Sequence, residues 1–237
     1  NISPKIAPYE HSLNTKLMNS KYVKELDSDA YFIYLRSVKN AIVLYREENI
    51  PLHTELTNKA QKFGEITAQM MVHIDGKDQT LQQASVHLKS TNREKRKEAF
   101  EKINTRRIED QNSLDLLLDE LIEKRQQLAR NLAYPNFRDY KFQAMGRFDY
   151  TKEDCFDFHA SIEKAIVPLI ADMHQDRKET MVLEILKPWD MQVDPNGNQP
   201  LKPFDGGEDL LDKCIVCFDK IRPFYGDCLR KMKTIIQ

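Results

Sequence analysis

The sequence predicts a mainly α protein, an elongated body of several helices joined by few turns. Glycine, which best tolerates left-handed turns, accounts for only 7 of the 237 residues, less than half its usual share of about 7%. Charged residues make up 31% of the chain and apolar residues 41%, and the mean hydropathy is −0.62. Apolar side chains recur every three to four residues over long stretches, which indicates helices with one apolar face.

Two helices are predicted in the first 70 residues. An irregular start precedes the first, for which Asp27 or Ser28 would be the N-cap residue. Pro51 would end this helix, because proline removes a backbone donor and clashes with the preceding turn. Apolar residues at helical spacing then predict a second helix over residues 52–69.

Two small β-hairpins are predicted to interrupt the helices. Residues 71–81 contain Asp75-Gly76, a dipeptide that favours a type I′ turn because both central residues need positive φ. Residues 188–200 contain an Asp-Pro-Asn-Gly sequence at 194–197, which also has the composition of a turn. Both hairpins are too short to form the core of the protein.

One helix of about 40 residues is predicted between the two hairpins. Thr91 and Glu94 have the spacing of a capping box, in which each side chain binds a free backbone N–H. Neither proline nor glycine follows until Pro135. At 1.5 Å per residue such a helix would span roughly 60 Å.

Three more helices complete the prediction. A short one is expected over residues 136–145, a longer one begins at Thr151, and the last runs from about Glu208 to the end of the chain. We interpret residues 1–237 as one helical body with a sub-boundary near residues 88–91.

The balance of charge argues against nucleic-acid and membrane partners. Lys and Arg number 36 and Asp and Glu 37, so the formal net charge is −1, which gives no attraction to polyanions or anionic lipid. The most basic stretch, residues 89–107, carries acidic residues three or four positions from basic ones, as solvated helix faces do. No apolar run approaches the 18 or so residues of a membrane span.

The cysteines and the chain ends suggest the setting of the protein. Four cysteines, Cys155, Cys214, Cys217 and Cys228, are too few for a disulfide framework and predict buried, reduced thiols in a cytoplasmic protein. The first residue is not Met, and the apolar period still continues at the last residue. We therefore expect this sequence to be a segment of a longer chain.

The side chains alone form no catalytic constellation. Cys214 and Cys217 have Cys-x-x-Cys spacing, but a zinc site needs two more ligands and no second pair is present, so packing is the simpler interpretation. His159 and Glu163 share a helix face, yet two ligands do not make a metal site. No glycine-rich phosphate loop or Gly-x-Ser-x-Gly motif occurs.

Several stretches resemble one family of enzymes. They are YPNFRDYKF at residues 134–142, MGRFDYT at 145–151, VPL at 167–169 and LKPWD at 186–190. Together they are similar to the oligoendopeptidase F branch of the thimet oligopeptidase-like zinc metallopeptidases. The resemblance covers most of the chain and is weakest over residues 1–31.

The resemblance implies that the parent protein is a zinc metalloendopeptidase. The chemistry of that family depends on a His-Glu-x-x-His helix, in which two imidazoles bind zinc and the Glu is the general base. No His in this chain is followed by Glu. We therefore expect the zinc ligands to lie outside this segment, within the remainder of the same polypeptide, and the segment alone to be inactive.

For the residues present, the resemblance implies a scaffold and the wall of a substrate cleft that admits short unfolded peptides. Arg147 and Tyr150 are the candidate cleft residues. Arg147 could instead belong to a buried ion pair near Asp149, and we favour that structural interpretation. A different class of function also stays open, namely a stand-alone helical module that binds a protein or peptide.

Overall fold

The computed structural model describes residues 2–236 as ten α-helices and one two-stranded antiparallel sheet. The prediction of a mainly α fold is confirmed. In chain order the elements are α1 (Ser3–Met18), α2 (Phe32–Leu44), α3 (Asn49–Ala68), β1 (Met71–Ile74), β2 (Lys77–Thr80), α4 (Leu81–Ala84), α5 (Arg93–Glu109), α6 (Gln111–Asn131), α7 (Phe137–Ala144), α8 (Lys152–Thr180), α9 (Gly206–Ile221) and α10 (Pro223–Ile236). The sub-boundary near residues 88–91 stays a prediction.

The N-terminal stretch is helical, so the expectation of an irregular start is wrong. Pro4 lies in the first turn of α1, where backbone N–H groups have no helical partner in any case. Pro8 removes one further hydrogen bond. Packing of α1 against α2 offsets that loss, and the His11 ring stacks on Tyr45 with centroids 3.9 Å apart.

The bounds of α2 also differ from the prediction. The Asp27 carboxylate accepts hydrogen bonds from the backbone N–H groups of Asp29 and Ala30, at 2.9 and 2.8 Å, and so stabilises the turn that precedes α2. Tyr31, rather than Asp27 or Ser28, is the N-cap residue. Pro51 does not end α2 but lies in the first turn of α3, where proline is tolerated.

The first hairpin forms as predicted. Met71 pairs with Thr80 and Ile74 with Lys77, and positive φ angles of 54° at Asp75 and 73° at Gly76 make the two-residue turn. One face of the hairpin packs on α4 and α5 in a core cluster. Its buried members are Val72, Ile74, Ala84, Leu88, Ala99 and Ile103.

The predicted helix of about 40 residues is two helices, α5 and α6. Asn92, not Thr91, caps α5 by accepting the N–H of Lys95. The helical path breaks at Asp110, whose φ and ψ are −97° and 6°. Because of this break, α5 packs on the hairpin while α6 packs on α3. Tertiary packing therefore imposes a bend where the sequence has neither glycine nor proline.

The last predicted helix is also divided in two. Arg222 separates α9 from α10 and has an extended backbone, with φ −164° and ψ 127°. Pro223 is the cause, because a proline disfavours the helical conformation in the residue before it. The two helices then pack against each other in an antiparallel orientation.

The second hairpin is absent from the described residues, so that prediction is wrong. Pro188–Asp190 form a single 3₁₀ turn, and a β-turn follows in which the N–H of Gly197 binds the carbonyl of Asp194 at 3.0 Å. Arg177 donates hydrogen bonds to the carbonyls of Asp190 and Val193. The Arg177 side chain thus binds carbonyl groups that would have to accept backbone hydrogen bonds in a hairpin.

Asp190 is the centre of a buried ionic cluster. Its side chain is 0% exposed. Arg93 donates two hydrogen bonds to it, at 3.1 and 2.8 Å, and the buried Arg96 donates one at 2.8 Å. The backbone N–H of Lys187 donates another at 3.0 Å. The cluster joins α5 to the 3₁₀ turn, and Arg177 joins that turn to α8.

The cluster holds Asp190 in its ionised form. Burial by itself raises the pKa of the carboxyl group, but the hydrogen bonds from Arg93, Arg96 and the Lys187 N–H outweigh burial and lower the pKa from 3.8 to about 2. Since the folded state has the lower pKa, the ionised cluster stabilises the fold above pH 4. That contribution disappears as the pH falls towards 2.

The outer helices leave much apolar surface uncovered. No side chain of α8 is buried, although the helix has 29 residues. The exposed apolar side chains of α8 are Phe156, Phe158, Ile166, Val167, Leu169, Ile170 and Met173. In α9 and α10, Val216, Ile221, Phe224, Met232 and Ile235 are also exposed.

The ionic cluster gives a test of the fold. We expect Asp190→Asn to lower the free energy of unfolding at pH 7 by about 3–5 kcal/mol, because Arg96 would be left buried without a carboxylate. The wild-type chain should also lose about 2 kcal/mol more than the variant between pH 4 and pH 2, which corresponds to the shift in the pKa of Asp190. Other carboxyl groups with lowered pKa values, such as Asp27 and Asp154, titrate in both chains and cancel in this comparison.

Denaturant unfolding of both chains across this pH range measures the effect. The matched control is Asp119→Asn, which changes an exposed carboxylate in α6. An Asp190→Asn chain within about 0.5 kcal/mol of the wild type, the range of ordinary surface changes, would refute the role assigned to the cluster.

Candidate functional site

Arg147 and Tyr150 lie in the link between α7 and α8. Gly146 has a φ of +65°, a conformation that glycine adopts without strain. The chain turns back there, and the N–H of Arg147 binds the carbonyl of Phe142 at 3.1 Å. Thr151 then begins α8 with the predicted cap, its hydroxyl accepting the N–H of Asp154. The link is thus fixed at both ends.

The structure brings the two candidate residues together. The guanidinium carbon of Arg147 lies 5.9 Å from the centre of the Tyr150 ring and 5.3 Å from that of Phe142. These two rings meet edge to face with centroids 5.8 Å apart. Sequence reasoning missed Phe142, because its contact with Arg147 depends on the reversal of the chain at Gly146.

A second arginine unit, centred on Arg36 of α2, contacts the same link. The guanidinium carbon of Arg36, in α2, is 5.1 Å from the centre of the Phe32 ring and 4.8 Å from that of Phe148. Arg36 also donates a 3.1 Å hydrogen bond to the carboxylate of Asp149. The link therefore contributes to both units: Arg147 and Tyr150 belong to one, and Phe148 and Asp149, which lie between them in the sequence, belong to the other.

We call these six aromatic and arginine side chains the arginine–aromatic patch. Its members are Phe32, Arg36, Phe142, Arg147, Phe148 and Tyr150. Arg147 is half-buried and Tyr150 is exposed. Among residues 2–236 the recorded contacts of the Arg147 guanidinium are those with the two rings, and the buried ion pair expected for it is not found there.

The other candidate residues form no site. Cys217 and Cys228 are exposed, so the prediction that they are buried is wrong, while Cys155 and Cys214 are half-buried. His159 is exposed and contacts the ring of Phe156. Within the described part of the chain no three His, Cys, Asp or Glu side chains come together, and these residues do not fit a zinc ion.

The basic stretch is largely neutralised by acidic partners. Its members Arg93, Lys95, Arg96, Lys102 and Arg106 pair with Asp190, Asp75, Asp190, Glu98 and Asp110 respectively. Such pairing is typical of a structural role. Among the helices that the structure describes, none is long and apolar enough to cross a membrane.

An open apolar groove of about 610 Å³ lies between α9 and α10. Leu211, Cys214, Phe218 and Leu229 lie along its walls. Cys214 therefore contributes to an apolar surface, which agrees with the packing interpretation of this residue.

Comparison with solved structures shows the fold to be a known one. A protein from Bacillus anthracis str. Ames, provisionally named an oligoendopeptidase F, superposes with a TM-score of 0.86 over 97% of this chain at 20% sequence identity. A second structure with the same provisional name gives 0.88 over 98% at 21%. PZ peptidase A, solved with an inhibitor, gives 0.87 over 98% at 22%.

The matched proteins are much longer than this chain. The chain covers 42%, 41% and 41% of the three proteins, so it spans about two fifths of their length. A search of curated proteins found no significant match. The sequence pattern of peptidase family M3 matches residues 86–206, just over half of the chain and including the link with Arg147 and Tyr150. The chain belongs to peptidase family M3.

Proposed function

We propose that this chain is a non-catalytic helical segment of a zinc metalloendopeptidase that cleaves short oligopeptides. In this proposal the segment serves as scaffold and as one wall of the substrate cleft. The observation that carries it is the match of nearly the whole chain to about two fifths of each of the three peptidase structures. Membership of peptidase family M3 supports the same conclusion.

The uncovered apolar surface supports a role as a segment. Helices of globular proteins bury an apolar stripe, yet Phe158 and Met173 on α8 are 64% and 60% exposed. Because only 41% of the residues are apolar, we expect most of the large apolar side chains to be needed for packing rather than exposed to water. We propose that the remainder of the same polypeptide covers α8, α9 and α10.

The catalytic zinc belongs to the parent enzyme in this proposal. The described residues do not fit a zinc ion, so we assign all of its ligands to the rest of the polypeptide. The setting proposed is the cytoplasm, since four sparse cysteines are typical of a reducing compartment.

Arg147 and Tyr150 are proposed to face the substrate cleft. Both belong to the arginine–aromatic patch, and the Arg147 guanidinium is free of partners within the described chain. Aromatic and arginine side chains are the types enriched where proteins bind peptides and other proteins. Such a surface would contact short unfolded peptides by stacking and by charge.

The alternative, a stand-alone helical interaction module, has one observation in its favour, the apolar groove between α9 and α10. The reading frame after Gln237 distinguishes the two proposals. A His-Glu-x-x-His sequence within roughly 150 residues, the length of one more domain, supports the peptidase. Its absence supports the interaction module.

We expect catalysis and zinc binding only in the full-length protein. The 237-residue chain, purified without a histidine tag, should contain no stoichiometric zinc and should not cleave a quenched fluorescent peptide, because its residues supply no ligand set. The full-length protein should do both and should lose activity with a chelator. One tightly bound zinc per 237-residue chain, by elemental analysis, would refute the assignment of the ligands.

We expect hydrogen exchange to show which helices depend on the rest of the polypeptide. Amides of residues 225–236 should exchange rapidly in the isolated chain, because few buried contacts hold α10, and slowly in the full-length protein. Amides of α6 around the buried Leu121 and Leu128 should be protected in both and serve as the control. Strong protection of α10 in a monomeric isolated chain would contradict the proposal.

A further inference from the structure

We propose that Arg147 forms a binding site for a carboxylate group of a peptide. This inference rests on the proposed function for the identity of the ligand, and it names the chemical group that the cleft wall recognises. Three features of the structure support it: a guanidinium held in place, hydrogen-bond donors without acceptors among residues 2–236, and a neighbouring unit of similar composition that already binds a carboxylate.

Two aromatic rings hold the Arg147 side chain in place, and its N–H groups donate no hydrogen bond to residues 2–236. Its guanidinium carbon lies over the rings of Phe142 and Tyr150, at 5.3 and 5.9 Å from their centres. These cation–π contacts fix a side chain that would otherwise lose considerable conformational entropy on binding. A planar guanidinium has five N–H donors, in a geometry that matches a carboxylate.

The neighbouring unit shows which ligand such an arrangement takes. Arg36 also lies over two aromatic rings, those of Phe32 and Phe148, and it binds the carboxylate of Asp149 at 3.1 Å. Both units therefore combine one guanidinium with two aromatic rings, and the link supplies one ring to each. The Arg36 unit holds a carboxylate from the chain itself, whereas the Arg147 unit has none among residues 2–236.

The nearby acidic side chains do not compete for Arg147. Asp149 is bound by Arg36. In α7, Asp139 pairs with Arg138 at 2.9 Å, and at the start of α8 Asp154 accepts hydrogen bonds from the N–H and hydroxyl groups of Thr151, both at 2.7 Å. These three carboxylates thus have partners of their own, and the site is available to a carboxylate from outside the chain.

Two sources within a peptide share this chemistry, its free C-terminus and the side chain of Asp or Glu. The experiment uses full-length protein with zinc removed by a chelator, so that binding is measured without turnover. Three fluorescent peptides of one core sequence are compared: one with a free C-terminus, one amidated, and one amidated with a Gln replaced by Glu. Fluorescence anisotropy gives the Kd of each.

We expect the wild-type protein to bind at least one carboxylate-bearing peptide about 10- to 100-fold more tightly than the neutral amide, as charged hydrogen bonds do. Which of the two binds more tightly identifies the source. Arg147→Gln should reduce the ratio to about one, whatever it does to the Kd of the amide. Arg147→Lys, which keeps the charge but not the planar fork, should retain part of the ratio.

The matched control is Arg138→Gln, which removes another arginine of this region that already has a carboxylate partner. The ratio should survive this change. Equal affinities for charged and neutral peptides in the wild-type protein, a ratio that survives Arg147→Gln, or no binding of any peptide would each overturn the inference. The proposed function is tested separately, because a zinc-loaded enzyme that cleaves charged and neutral peptides alike remains a peptidase.

Discussion

The position of α8 depends on the buried carboxylate of Asp190. Arg93 and Arg96 bring α5 to this carboxylate, and Arg177 connects the same turn to α8 through its backbone carbonyls. No apolar side chain of α8 is buried, so hydrogen bonds and ion pairs, rather than a hydrophobic core, attach this end of the helix to the body. Such an attachment fixes the direction of α8 while its apolar side chains stay exposed, as the scaffold role that we propose requires.

At the other end of α8, the link of residues 145–151 connects the scaffold to the proposed cleft wall. Its side chains contribute to two arginine units, of which one holds the carboxylate of Asp149 and the other holds none among residues 2–236. Since the closed unit binds α2, it fixes the link and thereby the position of Arg147. A guanidinium–carboxylate contact, that of Arg36 with Asp149, thus holds the link in place. We propose the same kind of contact between Arg147 and a peptide.

Local chemistry decided what could be predicted from the sequence. The turn at Asp75-Gly76 and the cap at Thr151 follow from neighbouring residues, and both were predicted correctly. The break at Asp110 has no local signal, because it arises from the different partners of α5 and α6. The second hairpin was predicted wrongly because Asp190 bonds to arginines more than 90 positions earlier. Asp149 binds Arg36, which lies 113 positions earlier. The sequence gives no sign of this distant contact, and for that reason we favoured an ion pair for the neighbouring Arg147.

A crystal structure of the full-length protein with an uncleaved peptide bound would show whether this segment is a cleft wall without zinc ligands. We expect every zinc ligand to lie outside residues 1–237, the rest of the polypeptide to cover the apolar side of α8, and the peptide to lie against Arg147 and Tyr150. A zinc ligand within this segment, or a peptide bound far from the link, would contradict it.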